Sequence, residues 1–188
     1  MSYHNVLNLN KKLLLPRLAT ASRLVDATAG NGHDAEFLLQ NSPTDVALYC
    51  CDIQKQALEN THLRIQNKFP RAKIHFYHGN HLDFFKETEG MWDVVMFNLG
   101  YLPGGDHAIH TQPQNTVQTL IAASEKLAPQ GLISLVAYPG SLIGAEECTQ
   151  VGEWLESLDQ KYWEVVHIHM YNQLNQPPEL WLVEKRSK

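Results

Sequence analysis

Short apolar runs alternate with amphipathic stretches along almost the whole chain. Val6–Leu15 has helical spacing and predicts a helix that Pro16 ends. Strand-like runs follow at Arg23–Ala27, Val46–Cys51, Lys73–His78, Trp92–Phe97 and in LISLVAY after Gly131. Between and after them, helical periodicity covers about His33–Gln40, Gln54–Phe69, Pro113–Leu127 and Gly144–Leu158. In the second of these, Ala57, Leu58, His62 and Ile65 make the predicted inner stripe. Strands such as LISLVAY are apolar on both faces, so the sheet should be mostly parallel and covered by helices on both sides.

The ending breaks this rhythm. WEVVHIHMY and ELWLVEK are joined by NQLNQPP, with no helix between them, and should pair antiparallel. The expectation is an α/β fold with seven strands, the last reversed. No repeat or long linker interrupts the chain, which predicts one domain over 1–188.

Composition narrows the class. With 188 residues, 44% hydrophobic and 19% charged, the chain reads as a soluble globular protein. No apolar run approaches the length that spans a bilayer, and no basic patch leads into an apolar leader, so the expected location is cytoplasmic, without membrane contact. Cys50 and Cys51 are neighbours whose side chains should point to opposite faces, and Cys148 stands alone. No zinc spacing is present; His167 and His169 share a strand face without a third ligand, so no metal is expected. A net charge of −5 excludes a uniformly basic coat but allows local basic patches, with Lys11, Lys12 and Arg17 the candidates.

The string VDATAGNGHDAEF carries the first chemistry. Gly30 and Gly32 permit a tight turn at the end of the first strand, and amides at the following helix start can face a ligand. Twenty residues beyond Gly32, Asp52 ends the second strand, where a carboxylate can accept both hydroxyls of a ribose. A nucleoside cofactor follows from that pair of features. Gly30 to Ala35 also satisfies the GxGxxA dinucleotide fingerprint. Against NAD stand Asp26, an acid suited to an amino group rather than a pyrophosphate, the lack of room for a substrate domain, and the closing antiparallel pair.

Asp26, Gly30, Gly32 and Asp52 together resemble the first two motifs of class I S-adenosylmethionine-dependent methyltransferases, whose fold is Rossmann-like. The resemblance implies that Asp26, Thr28 and the Ala29-Gly30-Asn31-Gly32 turn, with Asp34, hold the methionine end. Asp52, Ile53 and Gln54 would meet the ribose and adenine, and Asn80 and His81 the adenine. A polar turn capping a short helix explains the last two nearly as well. At the fourth strand's end, Asn98-Leu99-Gly100-Tyr101 is similar in its outer letters to the (Asn/Asp)-Pro-Pro-(Tyr/Phe) motif of amino-group methyltransferases.

The longer string DVVMFNLGYLPGGDHAIHT resembles the small family labelled putative rRNA methylase, which includes Gram-positive tRNA 5-aminomethyl-2-thiouridine methyltransferases. Where many relatives are expected to carry Gly-His after the fifth strand, this chain has Gly140-Ser141. The resemblance implies S-adenosylmethionine as cofactor and the wobble-uridine amine of a tRNA anticodon stem-loop as acceptor. Asn98 and Leu99 would lie beside the methyl group. Asn98 would orient the amine, Tyr101 would face the base, and Asp106, His107 or His110 would take the proton. The N-terminal segment 1–20 would border the cleft, with Lys11, Lys12 and Arg17 on RNA phosphates. A homodimer is compatible with all of this. Other readings remain open: a methyltransferase acting on rRNA or a small molecule, an NAD(P)-binding oxidoreductase, or a non-catalytic RNA-binding relative.

Overall fold

A computed structural model describes residues 5–99 and 113–187. Seven strands form one sheet: β1 (Arg23–Asp26), β2 (Ala47–Asp52), β3 (Lys73–His78), β4 (Trp92–Asn98), β5 (Leu127–Ala137), β6 (Trp163–Ile168) and β7 (Glu179–Lys185). Their order across the sheet is β3-β2-β1-β4-β5-β7-β6. The first five are parallel, and β7 lies antiparallel between β5 and β6. The reversed closing strand is therefore as the sequence predicts.

Period-two alternation divides the core between the two faces. Leu24, Leu48, Cys50, Val94 and Met96 pack on the side covered by α1 (Val6–Leu18), α2 (His33–Gln40) and α3 (Lys55–Ile65). Val25, Cys51, Val95, Phe97 and Ile133 pack on the other side, under α4 (His81–Glu87), α5 (Pro113–Glu125) and α6 (Leu142–Glu156). Cys50 and Cys51 point to opposite faces as expected, and all three cysteines are free. Burial pushes the Cys148 thiol up to about 12, with the charges of Glu179 and Glu147 adding to it.

Several boundaries differ from the sequence reading. Pro16 does not end α1, which runs on to Leu18, and the Ala19 amide donates to the Leu15 carbonyl at 3.2 Å. Leu14 and Leu18 lie one turn apart and are both fully buried. Burying a leucine contributes about 1.5–3 kcal/mol, which offsets much of the roughly 3 kcal/mol that proline costs inside a helix. In α3 the inner position is Thr61, not the exposed His62. The short α4 was predicted only as a turn-capped alternative, whereas β5 starts five residues early and β6 stops at Ile168.

α1 runs against the direction of β4 and β5. Val6 packs with Val136 and Leu180 near the carboxyl ends of the parallel strands, whereas Arg17 reaches the opposite edge. There the Arg17 guanidinium donates to the Pro129 carbonyl at 3.2 Å and lies 3.7 Å from Asp93. Asp93 also accepts from the amides of Ser22 and Arg23. Burial alone would raise its carboxyl, but those donors and Arg17 together hold it below the usual range. Midway along the helix, Asn10 is fully buried and accepts from the Ser134 hydroxyl at 2.7 Å, a polar pin between α1 and β5.

Candidate active site at the carboxyl edge

The turn after β1 is built by backbone geometry and braced by α3. Gly30 and Gly32 have φ of 51° and 76°, in the region that favours glycine. A Cβ on Gly32 would lie 2.8 Å from the Thr61 Cα, so this glycine lets α3 approach the turn. Thr61 Oγ1 lies within donating distance of the Ala29 and Gly30 carbonyls, at 3.3 and 3.2 Å. Asn31 is held twice: Arg64 Nε donates to its carbonyl at 2.7 Å, and Asn60 Nδ2 to its side-chain oxygen at 2.9 Å. Asn60, Thr61 and Arg64 were not foreseen; their common face on α3 was the available signal.

Two carboxylates flank this turn in different states. Asp52 is tied by backbone amides, accepting from Gly30 at 2.9 Å and from Gln54 at 2.9 Å. Asp26 is almost fully buried; its Oδ1 accepts from the Thr28 amide at 3.2 Å, and among the described residues no hydrogen bond of standard geometry reaches its Oδ2, although the Ala35 amide also pulls on the carboxyl. Burial and then the charge of Asp34 push its carboxyl up to about 8, against the pull of the Thr28 and Ala35 amides, and Asp52 adds to the rise. At neutral pH the group carries its proton. A buried acid with one vacant oxygen is a receptor for a donor-bearing cation, which would expel that proton on pairing.

A polar relay crosses the same edge. Thr28 Oγ1 accepts from the Asn98 amide at 2.8 Å, joining the ends of β1 and β4. The Asn98 side chain is fixed from both sides: Nδ2 donates to Asp34 Oδ2 at 3.2 Å, and Oδ1 accepts from the Tyr138 hydroxyl at 2.9 Å. Ionised Asp34 can only accept, so it selects the amide nitrogen and turns Oδ1 toward Tyr138. Asp34 is itself paired with Lys11 at 3.0 Å. Tyr138 was not foreseen; its place at the end of β5, beside the end of β4, was the signal.

The remaining candidates are distributed as follows. Ile53 is exposed beside the β2 end, and its carbonyl lies 3.0 Å from a ring nitrogen of His78. Asn80 caps α4, accepting from the Leu82 amide at 2.8 Å. His81 packs edge-on against Phe97, and burial lowers its pKa against a hydrogen bond to the Ala27 backbone. Leu99 is buried in the core. Lys11 and Lys12 line a shallow groove with Asn8, Leu15, Phe37 and Asn41. The structure does not bring Arg17 to them; it lies at the opposite edge. Gly100, Tyr101, Asp106, His107 and His110 lie outside the described residues. Among the described residues, no cluster of three or more His, Cys, Asp or Glu could hold a metal, and no helix is long and apolar enough to cross a membrane.

Comparison with known proteins agrees with this architecture. The family model described as putative rRNA methylase matches residues 48–184. A chloroplastic tRNA (mnm(5)s(2)U34)-methyltransferase of Arabidopsis thaliana is 31% identical over 175 residues, or 87% of this chain. The chain spans 64% of that relative's length. Among solved structures, a putative rRNA-methylase from Clostridium thermocellum is 34% identical with a TM-score of 0.92, covering 98% of this chain and 100% of that one. The putative methyltransferase SMU.1697c from Streptococcus mutans, in complex with SAH, is 29% identical with a TM-score of 0.86, covering 98% and 99% of the two chains.

The state of Asp26 has a measurable signature. An unfolded aspartate titrates near 3.9, so between there and about 8 the folded chain holds a proton that the unfolded chain has lost. The stability this contributes is full below the lower value and disappears as pH rises through the upper one. Relative to Asp26→Asn, the Tm of the native chain should fall from pH 5 to about pH 8 and level off above it. Parallel curves would show that Asp26 titrates normally.

Proposed function

We propose that this chain, which belongs to the putative rRNA methylase family, methylates the amine of 5-aminomethyl-(2-thio)uridine at the tRNA wobble position. It is an S-adenosylmethionine-dependent methyltransferase, like its relatives. The observation that carries the reading is the fixed Asn98 amide at the end of β4, two residues beyond Met96, which pairs in register with Asp26 on the neighbouring strand. The tRNA acceptor is supported by likeness to the plant enzyme.

The residues present fit the cofactor. Asp26 offers its unpartnered, buried Oδ2 to the amino group of the methionine moiety. The Ala29–Gly32 turn offers backbone without side-chain obstruction at Gly30, and Asp52 has lone pairs left after its two amide bonds for ribose hydroxyls. Thr28 and Asp34 hold the turn and Asn98 in place, Gln54 fixes Asp52 through its amide, and exposed Ile53 offers an apolar face to adenine. Asn80, His81 and Leu99 complete the proposed adenine and methyl surroundings. When bound, S-adenosylmethionine would supply a sulfonium methyl open to in-line attack by an amine, the C–S bond breaking as the N–C bond forms and the thioether of SAH leaving with the electron pair.

Asn98 Oδ1 keeps a second lone pair beyond the one Tyr138 uses, and accepts an N–H of the target amine so that the nitrogen lone pair faces the methyl. Tyr101 would face the uracil ring. An alkylamine is mostly protonated near neutral pH, so a base must remove that proton; Asp106, His107 and His110 are the proposed acceptors. Lys11 and Lys12, on the groove beside the relay, are the proposed phosphate contacts.

The family description favours a second reading, an rRNA acceptor. One experiment separates them: the protein and S-adenosylmethionine are incubated with tRNA, or with rRNA, from cells lacking it, and the RNA is digested to nucleosides. The expected product is 5-methylaminomethyl-2-thiouridine, from tRNA alone. Its absence, with methylated nucleosides from rRNA, would replace the wobble reading by the second. In the same assay Tyr138→Phe removes one of the two bonds that hold the Asn98 amide and should lower kcat about tenfold, the scale of one lost hydrogen bond. KM for the cofactor should stay unchanged; a change in KM alone would show that Tyr138 acts on binding.

A further inference from the structure

A column of rings runs outward along the last hairpin. Trp181 of β7 is buried, and the His167 ring of β6 stacks on it with centroids 4.5 Å apart and planes 3° apart. His169 follows at 6.0 Å and 23°, and Tyr171 meets His169 edge-on at 5.7 Å and 74°. The row continues past the end of β6 at Ile168 through these ring contacts, with Tyr171 in the turn that follows. Glu179 pairs in register with Ala137, so the hairpin tip lies at the carboxyl edge of the sheet, the edge that holds Asp26 and Asn98. His167 is also steadied by Glu179, 2.9 Å away.

Folding does not account for the outer end of this column. Tyr171 is 91% exposed and Leu174 is 85% exposed. Large side chains displayed in this way gain nothing from burial, yet the column beneath them is anchored in the core. The surrounding residues are Asn172, Gln173, Asn175 and Gln176, with Asn175 and Gln176 in the left-handed region at φ of 64° and 49°. Although the chain has 20 acidic residues and a net charge of −5, the segment 169–178 contains none. The tip is thus aromatic, rich in amides and free of charge that would repel phosphate.

We propose that this column is a stacking platform for unpaired RNA nucleotides next to the base being methylated. The inference rests on the RNA methyltransferase reading above. Bases stack on ring faces whatever their sequence, and neighbouring amides can donate to or accept from base edges and 2′-hydroxyls. The mixture of amides with isolated apolar side chains suits that occupant better than a second copy of this chain. A stable dimer commonly buries about 800 Å² per partner around a continuous apolar centre.

The test uses the full chain and an anticodon stem-loop RNA as probe. Tyr171→Ala should weaken stem-loop binding roughly 5- to 150-fold, the range for one stacked base. Tyr171→Phe should retain it, and SAH affinity and Tm should not move. Equal stem-loop affinity for the native chain and Tyr171→Ala, with methylation of tRNA intact, would overturn the platform alone. Loss of affinity accompanied by a dimer-to-monomer shift in sedimentation would assign the column to a second copy instead. Failure of the native chain to bind the stem-loop would overturn the platform together with the reading beneath it.

Discussion

A carboxyl group withdrawn from water at the end of β1 sets the terms for the rest of the carboxyl edge. Asp26 ends a strand behind the fully buried Leu24 and Val25, and two further carboxylates lie in its field. Such an arrangement is costly to keep charged, so the group holds a proton and leaves one oxygen without a partner. The neighbouring structure is organised around that constraint. Asp34 stays beside it because Lys11 and the start of α2 both favour its negative charge. Asp52 stays beside it because two backbone amides satisfy it.

The same acids organise the opposite wall of the site. Asp34 reaches from α2 to Asn98 on β4, and Asn98 reaches Tyr138 beyond β5, so four elements including α1 converge on one amide. Lys11 therefore joins an expected RNA face to the expected chemistry through one ion pair. It balances a carboxylate inside the site while its ammonium also lies over the Phe37 ring, 5.2 Å from the centroid. The proposed amine selectivity depends on this rigidity, because an amide free to turn would offer donors and acceptors alike.

Much of this was legible from the chain. The alternation of two-sided apolar strands with amphipathic helices gave the parallel sheet, and the helix-free link before ELWLVEK gave the reversed β7. The glycine turn and Asp52 were found because they rest on local rules: backbone conformation and the position of a strand end. Thr61, Arg64 and Tyr138 were missed because their roles depend on how α3 and β5 pack, which single-sequence periodicity does not encode. Pro16 misled for a related reason, since tertiary burial of Leu18 overrides a local helix stop. Arg17 looked like a partner of Lys11 and Lys12 by proximity in sequence, yet α1 is long enough to carry it to the far edge of the sheet.

The central claim is that a protonated Asp26 receives the amino group of an adenosylated methionine and loses its proton in doing so. Calorimetry of SAH binding in buffers of differing ionisation enthalpy tests it most directly. With a carboxyl near 8, binding at pH 7 should release about one proton per molecule bound. That release should vanish at pH 9 and in Asp26→Asn. SAH binding with no proton release at pH 7, or with the same release in Asp26→Asn, would contradict the account.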